Sequence, residues 1–181
     1  MVTDVYLPKW LDKCIFTKLK ANYCCSNSDM TVIDWDKKDV LNYLGTYFPR
    51  SYAEAYCIFH AYFDSHLQDW TDKEKISVFD FGCGTGGEIV GMLMAVSELL
   101  PNINTIDIIA LDGNQEALRL FEQVMKEVAL RISTTIKAQV APIRIDDLYD
   151  LSLLDSLLTN DFDIIMSFKA ICEFVTKERF E

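Results

Sequence analysis

A chain of 181 residues is long enough for one domain with a real hydrophobic core. Half of the residues are hydrophobic and a quarter charged, the composition of a soluble globular protein, and no apolar run is long enough to cross a bilayer. The net charge of −11 opposes broad contact with a nucleic-acid backbone, while leaving room for a local basic groove or a basic partner.

The N-terminal stretch MVTDVYLPKWLDKC lacks the apolar segment of a secretory signal. Pro8 suits a first helical turn, and Trp10, Leu11, Cys14, Ile15 and Leu19 form an amphipathic stripe behind it. YCCSNSD reads as a loop from its turn residues. A short helix is predicted over Asp36 to Tyr47, with Val40, Tyr43 and Leu44 inward. Pro49 is expected to break it, and Ser51 with Glu54 forms a capping box for a new helix. Ile58, Phe59, Tyr62 and Phe63 then make an apolar flank, and the aromatic stretch 52–67 is read as core. Residues 1–73 are therefore expected to form a small helical subdomain.

From residue 74 to 181 strands and helices alternate: β over 76–81, α over 86–100, β over 106–112, α over 114–131, β over 137–145, a short helical segment over 148–159, and β over 162–168. The runs ISVFDF, IDIIALD and FDIIMSF are almost continuously apolar. They predict a parallel sheet whose strands are buried on both faces. The third strand, IKAQVAPIRI, carries Pro142, which cannot donate to a ladder, so it belongs at an edge.

The six cysteines form no C-x-x-C pair, and Cys24 and Cys25 are adjacent, so they are read as reduced thiols in a cytoplasmic protein. His60 and His66 fall on different sides of a helix, and no metal site is expected.

Four of the seven glycines, Gly82, Gly84, Gly86 and Gly87, crowd into SVFDFGCGTGGEIV between the first strand and its helix. A glycine turn there lets backbone approach a ligand closely and aims a helix N-terminus at it. A P-loop needs Lys and then Ser or Thr after the last glycine. Here Glu88 and Ile89 follow, so that reading fails. Asp80 ends the first strand and Asp112 the second, which places both acids and the turn around one crevice. An acid at the tip of the second strand is where a ribose diol is held, and Asp112 is the expected ribose ligand. Asp80 would repel the diphosphate of a dinucleotide such as NAD. It suits the cationic sulfonium and ammonium of S-adenosylmethionine.

DFGCGTG, Asp80 to Gly86, resembles the D-x-G-x-G-x-G motif of class I S-adenosylmethionine-dependent methyltransferases. IIALDGNQEALRLFEQ is similar to that family's second strand and following helix, IRIDDL to the end of its third strand, and FDIIMSFKAICEF to its fourth strand and the loop beside the transferred methyl. The likeness spans roughly residues 75–175. It implies an α/β fold: the first four strands of a Rossmann-like parallel sheet behind the helical subdomain. It implies that Asp80, Phe81, Gly82, Cys83, Gly84 and Gly86 form the donor-binding turn, with Asp80 ordering it. It further implies that Asp112 and Gly113 meet the ribose, that Asp146 or Asp147 holds the adenine, and that Ser167 and Phe168 lie near the methyl. No catalytic residue is singled out; Ser167, Lys169 and Glu173 are candidates. YLGTYFPRSYAEAYCIFHAYF also resembles the helix preceding the glycine motif in the mitochondrial small-ribosomal-subunit methyltransferase-like family, although that family's later cysteine cluster is absent. This second likeness implies that Tyr47, Arg50 and Tyr52 cover the donor, with Arg50 near its carboxylate.

The chain departs from the first family in two ways. SFKAICEF lacks the proline that follows the fourth strand in enzymes acting on base amino groups. The sequence also stops at VTKERFE, before the strands that complete the fold. The expectation is a C-terminally truncated chain with an apolar fourth-strand edge open to self-association. The expected partners are S-adenosylmethionine and an acceptor of unspecified chemistry, with no membrane. The competing readings are a non-catalytic binding or assembly protein of the same fold and an NAD-dependent oxidoreductase.

Overall fold

A computed structural model of the chain describes residues 4–24, 36–143, 158 and 161–170. Four strands, β1 (Lys75–Phe81), β2 (Thr105–Asp112), β3 (Thr135–Pro142) and β4 (Ile164–Met166), form one sheet. Their order is β3-β2-β1-β4 and every pairing is parallel. Among the described residues β3 pairs only with β2 and ends at Pro142 opposite Asp112, so proline sits at the edge its chemistry requires. β4 is the other edge, short, with Ile165 67% exposed.

Among the described residues five α-helices accompany the sheet: α1 (Lys9–Asp12), α2 (Lys37–Ser65), α3 (Leu67–Trp70), α4 (Gly87–Leu99) and α5 (Gln115–Ala129). α1 runs on as a π-helical stretch, Lys13–Lys18, and buries Leu11, Cys14 and Ile15. Lys18 pairs with Glu127 of α5. β1–α4–β2 and β2–α5–β3 step the same way across the sheet, and right-handed crossovers then put both helices on one face. Ile76, Val78, Ile106, Ile108 and Ala110 point to that face and are buried. The expectation of strands buried on both faces holds in part: Phe79 and Leu111 are buried on the opposite face too, but their neighbours there are not. On the opposite face Ser77, Asp107 and Ile109 are half-buried, and Lys137 and Gln139 are exposed. The segment predicted as helical, 148–159, lies outside the described residues apart from Leu158.

The front of the chain differs most from its sequence reading. Asp36 caps α2, its Oδ1 accepting from the backbone N–H of Lys38 at 2.7 Å and of Asp39 at 3.0 Å. The helix then continues for 29 residues straight through Pro49. There is no break at Pro49 and no capping box. Ser51 is buried inside the helix and Glu54 pairs with Lys169. A mid-helix proline loses one hydrogen bond and crowds the carbonyl four residues back, here that of Gly45, at a cost of about 3 kcal/mol. Packing offsets that cost. Val40, Leu44, Phe48, Tyr52 and Ala55 stay in helical phase across the proline and are all buried. The face they form lies against α4, which is buried along nearly its whole length between α2 and the sheet.

Two glycines of α4 set that approach. A Cβ at Gly87 would stand 2.6 Å from the Phe48 carbonyl oxygen, and one at Gly91 would stand 2.4 Å from that of Tyr52. Tyr56 closes the seam by donating to Glu98 Oε2 at 2.6 Å. Further along α2 the expected apolar flank is only partly core: Phe63 is buried, whereas Ile58 and Tyr62 are exposed. The front helices, α4, α5 and the sheet share one hydrophobic cluster that runs from Leu11 to Met166. No helix among the described residues is long and apolar enough to cross a membrane.

Candidate functional site

The turn between β1 and α4 is built from left-handed backbone. Gly82, Gly84 and Gly86 have φ of 76°, 50° and 79°, a region side chains enter only at a cost. The N–H groups of Gly82 and Cys83 both donate to the Leu111 carbonyl, at 2.8 and 3.0 Å, which pins the turn to the end of β2. Gly86 N–H donates to the Cys83 carbonyl at 2.7 Å and starts α4 without a side-chain cap.

Asp112 ties the two strand tips together. Its Oδ2 accepts from Gly84 N–H at 2.7 Å, and its Oδ1 accepts from Asn114 N–H at 2.8 Å. The carboxylate that accepts a hydrogen bond from the turn is thus Asp112, the residue assigned to a ribose. Each carboxylate oxygen can accept more than one hydrogen bond, so these two leave capacity for further donors. Asn114 caps α5 by accepting from Ala117 N–H at 3.0 Å.

Asp80 lies beneath the turn, on the helix-facing side of β1, with no exposed surface. Glu88, in the first turn of α4, is 4% exposed and faces it. Burial holds the Asp80 carboxyl above the ordinary carboxylate range; its contact with Glu88 opposes this and the Asp112 charge adds to it. Burial and then the Asp80 charge hold Glu88 well above the ordinary carboxylate range. Asp112 is raised by burial, against the two backbone N–H groups that favour its ionised form. The Cys83 thiol is buried and raised by burial and by all three acids, so it is no nucleophile.

The segment after β4 folds over the turn. Ser167 Oγ donates to the Phe81 carbonyl at 2.8 Å, Phe168 packs on the core, and Ala170 covers Gly82, where a Cβ would come within 2.2 Å of its methyl. Lys169 adopts a left-handed φ of 61° and pairs with Glu54 of α2 at 2.7 Å.

α2 supplies a wall. Tyr43, Tyr47, Arg50 and Glu54 share one stripe by helical spacing. Its two ends touch the site: the Tyr43 hydroxyl stands 3.2 Å from where a Gly84 Cβ would be, and Glu54 holds Lys169. Between them Tyr43 and Tyr47 rings lie 5.1 Å apart and Arg50 stacks on Tyr47 at 5.6 Å. Tyr47 and Arg50 are therefore brought to this side. Tyr52 is not: it is buried in the α2–α4 seam, stacked on Tyr56 at 6.2 Å.

The turn, Asp80, Asp112, Gly113, Ser167 and Phe168 all lie along the rim formed by the C-terminal ends of β1, β2 and β4. Asp146, Asp147 and Glu173 lie outside the described residues. Tyr43 and the buried position of Glu88 escaped the sequence reading. Tyr43 carries a signal, since it is one helical turn before Tyr47, but the same spacing also reads as an inward position. Among the described residues no group of His, Cys, Asp and Glu is arranged to hold a metal ion. A cavity of about 520 Å³ on the open sheet face, lined by Lys75, Ser77, Asp107, Lys137 and Gln139, is at the opposite ends of the strands from the turn. A scan against protein-family models and a search of curated proteins return no match to this chain.

Proposed function

We propose that this chain carries the donor-binding part of a Rossmann-like, class I S-adenosylmethionine-dependent methyltransferase. The observation that supports this reading over a dinucleotide enzyme is the floor of the turn: three carboxyl groups, Asp80, Glu88 and Asp112, gathered against glycine backbone with no compensating cation among the groups that shift them. A diphosphate would meet that floor with like charge, whereas a sulfonium and an ammonium meet it with opposite charge. In this reading Gly82, Gly84 and Gly86 admit the donor's methionine end and Asp112 holds the ribose while ordering the turn. Tyr47 and Arg50 flank the donor from α2, and Ser167 and Phe168 line the side from which an acceptor approaches. When bound, the donor supplies an electrophilic methyl, which passes in line to the acceptor's nucleophile. The chain's own contribution is orientation and exclusion of water.

A second reading, a non-catalytic binding or assembly protein of the same fold, draws support from Ala170 on Gly82 and Tyr43 on Gly84, because both occupy faces a donor would use. Calorimetric titration with S-adenosylmethionine, S-adenosylhomocysteine and NAD separates the readings. The expected result is binding of both sulfur compounds, weaker by tenfold or more in Asp112→Ala, and none of NAD. Preference for NAD overturns the proposal, and absence of binding by all three favours the second reading.

A further inference from the structure

Asp80 is wholly buried, and neither of its carboxylate oxygens receives an N–H or O–H from a described residue. The group that meets it is another buried acid, Glu88. Two ionised carboxylates are both acceptors, so their contact becomes a hydrogen bond only with a proton between them. Among the described residues no cation is named as acting on the pair; a backbone N–H favours ionised Glu88, and the other groups that act on it do not neutralise it. Asp112 from β2 adds negative charge and Cys83 from the turn a neutral thiol. The residues of α2 closest to Gly87 are Phe48 and Ser51, and α5 places Phe121 against Gly86.

We propose that Asp80 and Glu88 share one proton beneath the glycine turn, and that a cationic ligand seated on the turn displaces it. The shared proton stands on the buried contact alone, while its displacement rests on the functional reading above. Before binding, the pair holds one proton and a net charge of −1. On binding, the proton leaves to solvent and two carboxylates face the ligand's positive charge. No covalent bond forms or breaks elsewhere. Glu88 is thereby a specificity-determining residue, because its full charge develops only against a cation.

Infrared spectroscopy of the ligand-free chain at neutral pH tests the first half. A protonated-carboxyl band is expected in the wild type and is expected to weaken in Glu88→Gln, whose amide donates to an ionised Asp80. Asp80→Asn gives the same reading should Glu88→Gln fail to fold. An unchanged spectrum in both variants overturns the shared proton. Calorimetry with S-adenosylmethionine in buffers of different ionisation enthalpy tests the second half. Wild type should release close to one proton more than Glu88→Gln, and its affinity should rise by up to tenfold more per pH unit between pH 6 and 8. The ligand's own ammonium titrates alike against both proteins and cancels. Equal proton release in the two proteins, with both binding, overturns the displacement while leaving the functional reading intact. Failure of the wild type to bind overturns the functional reading and the displacement together, and the infrared result still decides the shared proton; should Glu88→Gln alone fail to bind, the functional reading stands and Asp80→Asn takes its place in the comparison.

Discussion

The glycine turn and the α2–α4 seam use the same residue for unrelated reasons, although Gly86 and Gly87 are neighbours in sequence. Gly82, Gly84 and Gly86 are needed for their φ, because the chain reverses through left-handed backbone to bring N–H groups to a rim. Gly87 and Gly91 have ordinary helical backbone and are needed for their missing side chain, because α2 passes where a Cβ would stand. A pattern such as G-x-G-x-x-G merges the two. Its last glycine here serves helix packing, and the left-handed turn is the trio alone.

Substitution should separate the two classes. Gly86→Ala incurs both penalties, since φ is 79° and the new methyl would lie 2.3 Å from the buried Phe121 ring. A left-handed residue costs about 1–2 kcal/mol and overpacking roughly another 1–3, so a loss of about 2–5 kcal/mol is expected in urea unfolding. Gly91→Ala meets only the steric term, and alanine's better helix propensity returns up to about 1 kcal/mol, for a net loss of roughly 0–3 kcal/mol. If Gly91→Ala proves the more damaging of the two, backbone conformation is not what distinguishes the turn.

The regions should also differ in their response to pH. A carboxyl whose folded pKa lies above its unfolded value stabilises the fold at low pH, and that stability is lost as pH rises through the folded value. Asp80 and Glu88 are raised together above the ordinary carboxylate range, so the pair's contribution should fade as pH rises beyond that range. The slope is at most about 1.4 kcal/mol per pH unit. Asp80→Asn should flatten this part of a stability–pH profile. In the seam, burial and Glu98 push Tyr52 up to about 12, and burial, the Glu98 hydrogen bond and its charge raise Tyr56 further, so both tyrosines are silent across the same range. A Tyr56→Phe variant should keep the wild-type slope and lose about 1 kcal/mol uniformly. A slope that survives Asp80→Asn would show that other groups govern the pH response.

How legible each region is in the sequence follows from the range of the forces that shape it. The rear strands are readable within a few residues because apolar runs and glycine punctuation are local signals. Pro142 also announces an edge through chemistry internal to one residue. Pro49 misled because its local rule is sound but a tertiary contact outweighs it. The sign was present: Val40, Leu44, Phe48, Tyr52 and Ala55 keep one helical phase across the proline, which two separate helices have no reason to do. The acids at the site were legible as residues but not as partners. That Asp112 holds Gly84 and that Glu88 meets Asp80 depends on how strands and helix are stacked, which spacing does not carry.

Lys169 gives the smallest effect and the sharpest control. It is a non-glycine residue at φ 61°, and its loop lies over the turn. Lys169→Ala keeps the left-handed cost and removes the pairing with Glu54, an exposed contact for which about 0–1 kcal/mol is expected. Lys169→Gly removes the same pairing but also relieves the backbone, by about 1–2 kcal/mol, less up to about 1 for glycine's extra freedom in the unfolded chain. The glycine variant should therefore be the more stable of the two, by roughly 1 kcal/mol in urea unfolding. At Gly84, where φ is 50°, the order should reverse, with alanine the less stable partner by a similar amount, since the Tyr43 hydroxyl at 3.2 Å needs to give way only slightly. Mirror-image differences at these two positions would assign the turn's glycines to backbone conformation. Equal stability of the Ala and Gly forms at both would mean that left-handed backbone is not what requires glycine in the turn, leaving close packing, as at Gly87 and Gly91, as its reason.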